Sequence, residues 1–150
     1  MKVRAERETE LNGQGPEIPD QALEALFEKL KECAAGDVVV LAGSIPDSLP
    51  ADIYERILGM LEGQGVTSAV DATGNLLRNV LKYRPFLIKP NNKELGGIFG
   101  KELKTVEELA AHARILQQEG ARNVLVLSLI HILNCLRTGN MCPLRPLSAT

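Results

Sequence analysis

The sequence predicts an α/β fold, a three-layer α/β/α arrangement on a mainly parallel sheet, and three observations carry that reading. Four short runs, Val38 to Ala42, Val66 to Asp71, Phe86 to Ile88 and Asn123 to Val126, have the length and apolar character of buried strands. Segments of helical period separate them, and glycine or proline punctuates the junctions. Strands alternating with helices pair in parallel, because each crossover lays a helix over the sheet and covers its faces. One hundred and fifty residues with 45% apolar content suit about one domain with a sizeable core.

Residues 3–10 alternate in a way that suits an exposed strand. From Asp20, the positions Leu23, Leu26, Phe27, Leu30, Cys33 and Ala34 recur at helical spacing, which predicts a helix over about 20–34 with Gly36 as its stop. After the Val38 strand, Pro50 opens a second helix with Ile53, Ile57, Met60 and Leu61 on one face, and Gly63 and Gly65 end it. The strand at 66–71 follows. A shorter helix over about 75–81 leads to the strand at Phe86, and a helix of one to two turns then ends near Gly100. Thr105 and Glu108 have the spacing of a capping box, with Val106, Leu109, Ala110, Ala113 and Leu116 as the inward stripe of a helix ending at Gly120. No internal repeat is present.

Charge and cysteines exclude several functions. With 17 basic and 19 acidic residues and a net charge of -2, the chain has no electrostatic footprint for a nucleic acid or an anionic membrane. No apolar stretch approaches the ~20 residues that span a bilayer, and the charged start, Met1 to Glu6, is unlike a signal peptide, so a cytoplasmic location is expected. Three cysteines do not make a disulfide framework, and Cys33 is expected reduced on the first helix. Residues 1–126 hold all 19 acids and 15 of the 17 basic residues, whereas 127–150 carry only Arg137 and Arg145. These last residues have no helical or strand period. Leu127 to Ile132 resembles one reading frame of a transposon-type sequencing adapter, so 127–150 is read as a non-native read-through tail.

The chemistry gathers where the Phe86 run stops at Lys89-Pro90-Asn91. Proline cannot continue a ladder, so the chain turns there, at the carboxyl end of a strand where ligands of open α/β sheets sit. Lys89 offers a compact positive charge suited to a phosphate, and Asn91 with Glu94 has the donors for a hydrated magnesium ion. A helix starting near Asn92 adds its first N–H groups to the same anion-favouring end. The competing reading is that lysine, asparagine and glutamate are simply common helix-entry residues. Gly43 and Ser44 end the Val38 strand and either touch an anionic ligand or make a plain tight turn. Asp71 either binds a polar ligand group or caps the helix at Gly74.

Ala42-Gly43-Ser44-Ile45-Pro46 and Lys89-Pro90-Asn91-Asn92-Lys93-Glu94 together resemble two motifs of the phosphofructokinase B branch of the ribokinase-like sugar kinases. With Thr9 to Pro16 and Asp71-Ala72-Thr73-Gly74, the likeness narrows to the 1-phosphofructokinases of bacteria, over roughly residues 2–126. The resemblance implies a ribokinase-like fold truncated at both ends: residues 1–15 as the end of a lid returning to the core, and 16–126 as a partial α/β domain. It implies ATP and Mg2+ as cofactors, a sugar phosphate as partner, and a homodimeric parent paired through the lid. Carried over by position, Lys89 contacts ATP phosphates, Asn91 and Glu94 organise magnesium through water, and Gly43, Ser44, Asn12 and Gly13 lie toward the sugar phosphate. The implied activity is conversion of fructose 1-phosphate to fructose 1,6-bisphosphate.

Several signals are declined. Ala34-Ala35-Gly36-Asp37 mimics the family's Gly-Ala-Gly-Asp motif, but here the aspartate precedes a strand and the glycine stops a helix. The motif proper, with its catalytic base, is absent from this sequence, so the fragment itself is expected to be inactive. His131, Cys135 and Cys142 lack a metal-ligand spacing, and His112 has no nucleophile nearby and reads as a surface residue. The rival readings are a sister kinase acting on tagatose 6-phosphate and a non-catalytic α/β nucleotide-binding module.

Overall fold

The computed structural model describes residues 2–4, 8–10, 17–46, 48–127, 132–136 and 141–142, with side chains over 17–46 and 48–127. Two short strands, β1 (Lys2–Arg4) and β2 (Glu8–Glu10), pair antiparallel with Val3 opposite Thr9. The sequence led us to expect one exposed strand there. Folding back lets the two halves satisfy each other's backbone groups, which a lone strand leaves to water.

The main sheet runs in the order β3 (Val38–Ala42), β4 (Thr67–Asp71), β5 (Leu87–Ile88), β6 (Asn123–Leu127), β7 (Ile132–Leu136) and β8 (Met141–Cys142). The first four strands are parallel and the last two antiparallel. The helices are α1 (Asp20–Lys31), α2 (Ile53–Leu61), α3 (Gly74–Val80) with a 3-10 turn at Leu81–Tyr83, α4 (Asn92–Ile98) and α5 (Val106–Glu119). The α/β class and the mainly parallel sheet are those expected. Strands β7 and β8 differ from expectation, since 127–150 has no strand period. Without β7 the edge of β6 would present a row of unpaired N–H and C=O groups, and such an edge is a template for pairing with another segment.

Register places one row of side chains across the sheet: Leu41 opposite Val70, Val70 opposite Ile88, and Ile88 opposite Val124. All four are buried, in one cluster with Ile57, Leu58, Leu77, Leu95, Leu109 and Leu116 from the helices. Strand order follows chain order, so crossovers of the usual right hand put the connecting helices on a single face. Among the described residues that face is the covered one, so of the three layers expected they build the sheet and one layer of helices. On the other, Val38 and Val40 stand 64% and 63% exposed.

Local chemistry fixes the element ends. Helix α1 stops at Lys31, short of the expected 34, because the Asp37 carboxylate accepts the Ala34 N–H at 2.8 Å and Gly36 adopts φ 98°, turning the chain toward β3. Cys33 consequently lies just past the helix, as a free thiol. The capping box at α5 forms as expected, with the Thr105 hydroxyl accepting the Glu108 N–H at 3.2 Å and the Glu108 carboxylate accepting the Thr105 N–H at 3.1 Å. Gly120 ends α5 at φ 146°, and a β-carbon there would collide with the Leu81 carbonyl oxygen. Gly120→Ala is therefore expected to destabilise the chain by about 2 kcal/mol, seen as a lower urea midpoint, while Gly97→Ala, facing open space, leaves the midpoint nearly unchanged.

Candidate functional site

The carboxyl ends of β3, β4 and β5 meet at one mouth. The Gly43 N–H donates to the Asp71 carbonyl at 3.1 Å, and the Lys89 N–H donates to the Val70 carbonyl at 3.1 Å. Beyond β5, the Leu127 N–H donates to the Pro90 carbonyl at 3.1 Å, and Asn91 makes a parallel bridge to Leu127. Pro90 is fully buried. The segment that sequence singled out is thus pinned between β4 and the end of β6.

Within this mouth the Lys89 ammonium pairs with the Asp71 carboxylate at 2.9 Å. Both side chains remain more than a third exposed, at 37% and 39%, so the pair adds ~0–1 kcal/mol to stability at most. Its importance is geometric: an ammonium has three donors, and one is spent on Asp71. Asp71 does not cap α3, whose first turn has no side-chain cap. Of the two readings of Asp71, helix capping is the one the structure sets aside.

Asn91 is the N-cap of α4. Its side-chain oxygen accepts the Glu94 N–H at 2.9 Å, and Glu94 Oε2 accepts the Asn91 N–H at 2.8 Å. This reciprocal box is the structural task of both residues. It uses one carboxylate oxygen of Glu94 and leaves Oε1 without a hydrogen bond among the described residues. No group of three or more histidine, cysteine, aspartate or glutamate side chains suited to a metal occurs among the described residues. The donor set therefore fits magnesium held through its waters and a ligand's phosphates, the usual manner for that ion, and does not fit an all-protein cage.

Gly43 takes φ 97°, a conformation that glycine adopts at no steric cost. The turn is held from below by Tyr54 on α2, whose hydroxyl donates to the Gly43 carbonyl at 3.2 Å. Ser44 is exposed, and its hydroxyl is unbonded among the described residues. Asn12 and Gly13 lie outside the described residues, as do the side chains of His131, Cys135 and Cys142. Asp37 stands at the opposite, amino end of the sheet, bound to Ala34, so it takes no part in the mouth. His112 is half-buried, edge-on to Phe99 with ring centroids 4.8 Å apart, and its Nδ1 lies 2.7 Å from the Glu108 carbonyl.

Sequence reasoning missed Tyr54. The available signal was a phenol inside the apolar stripe Tyr54, Ile57, Leu58, Leu61, because a buried tyrosine hydroxyl needs a partner. The Lys89 to Asp71 pair was also missed. Each residue follows directly after the Val70 and Ile88 partners of the β4–β5 register, so the pairing depends on an alignment invisible in a single sequence.

The pfkB family of carbohydrate kinases matches residues 1–129. The chain belongs to that family. It is 42% identical over 126 residues to the 1-phosphofructokinase of Bacillus subtilis, covering 84% of this chain and 42% of that protein. It is 32% identical over 119 residues to the D-tagatose-1-phosphate kinase of Klebsiella oxytoca, covering 79% and 39%. Its fold is that of phosphofructokinase-2 from Escherichia coli solved with fructose-6-phosphate, at TM-score 0.83 and 23% identity, covering 96% of this chain and 48% of that one. This pfkB chain thus spans less than half the length of these relatives.

Burial raises the Tyr54 pKa above the ordinary 10.0, and the nearby Asp71 charge raises it further. A phenol whose folded pKa is raised contributes stability that is complete below its unfolded value near 10.0 and is lost as pH climbs through the folded value. Tyr54→Phe is expected to cost about 1 kcal/mol at neutral pH through the lost hydrogen bond to Gly43. The same variant should lose less stability than the parent chain between pH 9 and pH 11, roughly the range over which tyrosine ionises, as read by urea melts at each pH.

Proposed function

We propose that this chain is part of an ATP-dependent 1-phosphofructokinase, which transfers the γ-phosphoryl group of ATP to fructose 1-phosphate. One observation carries the proposal: an ammonium, an amide and a carboxylate with a free oxygen are gathered at one strand mouth, in a pfkB chain 42% identical to a 1-phosphofructokinase over 126 residues. In this reaction the sugar's primary hydroxyl oxygen bonds to the γ-phosphorus. The bond from that phosphorus to the β–γ bridging oxygen breaks, ADP departs, and the hydroxyl proton passes to a base. Such a transfer asks the protein for alignment and charge neutralisation more than for covalent chemistry.

Lys89 would turn its two remaining donors to phosphate oxygens of ATP while Asp71 holds the ammonium at the mouth. Asn91 and Glu94 would hold the waters of magnesium, which when bound neutralises the charge of the β- and γ-phosphates. Gly43 and Ser44, with the turn fixed by Tyr54, would face the sugar phosphate with a backbone N–H and a hydroxyl. Asn12 and Gly13 would lie on the lid side of the same substrate. A cytoplasmic, homodimeric whole enzyme belongs to the same proposal; no helix of the described residues is long and apolar enough to cross a membrane. The tail boundary at 127 belongs to it too, and the pfkB match ends at residue 129.

A second reading keeps the chemistry and changes the sugar. A relative named D-tagatose-1-phosphate kinase stands at 32% identity, so a tagatose phosphate is the alternative acceptor. Residues 1–150 alone should yield no fructose 1,6-bisphosphate, because the sequence contains no Gly-Ala-Gly-Asp segment to supply the base; product formation by the purified chain would contradict this.

Replacing the aligned stretch of the Bacillus subtilis 1-phosphofructokinase with residues 1–126 should give an active chimera that prefers fructose 1-phosphate over tagatose 1-phosphate and tagatose 6-phosphate. In it, Lys89→Ala should lower kcat/KM by about 10²-fold or more. Glu94→Gln keeps an oxygen for the capping box and removes the charge, so it should preserve the melting temperature while raising the magnesium concentration needed for half-maximal rate. A Glu94→Gln chimera with unaltered rate and magnesium dependence would reject the assigned role.

A further inference from the structure

At the amino ends of the parallel strands, opposite the Lys89 mouth, lies a cavity of about 440 Å³. Its lining includes Thr67 and Ser68 at the start of β4, Tyr83, Arg84 and Phe86 ahead of β5, and Arg122 ahead of β6. Thr67 and Asp71 stand four residues apart on β4, so at ~3.3 Å per residue the two ends of the strand are about 13 Å apart. The cavity is therefore a place separate from the proposed site.

Two features mark it as built for a ligand. Arg84 is left-handed, at φ 53°, the non-glycine residue with positive φ among the described residues. It closes the 3-10 turn, donating its N–H to the Leu81 carbonyl at 2.9 Å, a task that glycine or asparagine performs at less steric cost than arginine. Backbone geometry alone does not call for arginine at this point. Second, neither the Arg84 nor the Arg122 guanidinium has an ion pair or side-chain hydrogen bond among the described residues, whereas Arg78 and Lys82 on the neighbouring turns pair with Glu119 and Glu55. The backbone beside them is held: the Arg122 N–H donates to the Pro85 carbonyl at 2.9 Å, and the Phe86 N–H to the Ser68 carbonyl at 2.9 Å.

Phe86 adds the apolar part. Phe86 is 46% exposed while lining this cavity. Glu62 also lines it, which disfavours ligands with negative charge at both ends. Two planar, permanently charged forks suit a phosphate or carboxylate head, and an exposed ring beside them suits an apolar or planar body.

We propose that this cavity is a second ligand site, which takes a small organic anion with one phosphate head and a planar or apolar body, away from the proposed catalytic mouth. Arg84 and Arg122 grip the head, and Phe86 packs against the body. The inference does not rest on the sugar-kinase reading.

Phenyl phosphate is a suitable probe, titrated calorimetrically into the full chain beside inorganic phosphate. Phenyl phosphate should bind several-fold more tightly than inorganic phosphate. Arg122→Gln should weaken it about tenfold or more, as expected for a lost charge-assisted bond. Arg84→Asn, which tolerates the left-handed backbone, should do the same, and Lys89→Ala should leave it unchanged. Should Arg84→Asn fail to fold by circular dichroism, Arg122→Gln decides alone, since that side chain is exposed. Absence of binding, equal affinity for the two probes, or loss on Lys89→Ala with no effect of Arg122→Gln would each overturn the site.

Discussion

The molecule depends on the register of four parallel strands. Leu41, Val70, Ile88 and Val124 form one buried row, and a slip by one residue would turn every such side chain to the other face. Burial of this row is what aligns the strand ends. Once it is set, Gly43, Asp71 and Lys89 emerge at one level, because each lies one or two positions past the row. The polar mouth is therefore a consequence of core packing, and no interaction among its own residues needs to assemble it.

That origin explains how weakly the mouth's polar groups bind one another. The Lys89 to Asp71 pair is half-solvated, so an incoming anion competes for the ammonium at small cost, whereas a buried pair would resist exchange. Asn91 and Glu94 are held differently. Their reciprocal hydrogen bonds to backbone N–H groups fix both side chains at the start of α4, leaving one carboxylate oxygen over. A residue that caps a helix and presents a spare oxygen is preorganised, and its positional precision comes from the cap. The two tasks that seemed alternatives at the level of sequence, helix entry and ligand contact, are compatible in one residue.

Much of the fold was legible because it follows local rules. The apolar runs gave β3 to β6 nearly to the residue, the Thr105 and Glu108 spacing gave the cap of α5, and glycines marked the ends. What escaped depended on relations between distant residues. Helix α1 ends early because Asp37 reaches back to Ala34, a contact that competes with helical spacing at Cys33. Strand β7 forms because β6 leaves an edge to pair with, and no periodicity within 127–150 announces that. At the site, Lys89, Asn91 and Glu94 were visible as a cluster in the chain, and Gly43 with Ser44 as a strand end. Tyr54 and the partner of Lys89 were not, since each is brought in by packing across the sheet.

Tyr54 shows what such a distant residue adds. It sits at the start of α2, in the layer of helices that covers the sheet, and its ring is part of the core while its hydroxyl reaches the Gly43 carbonyl. Gly43 costs little to place at φ 97°, but the same freedom lets a glycine turn wander. A hydrogen bond from a residue anchored by Ile53, Ile57 and Leu61 removes that freedom without adding a side chain to the turn itself. The turn can then stay small enough for close approach of a ligand and still be held in one place. Rigidity is supplied by the core and openness by the glycine, and the division works because the phenol spans the boundary between them.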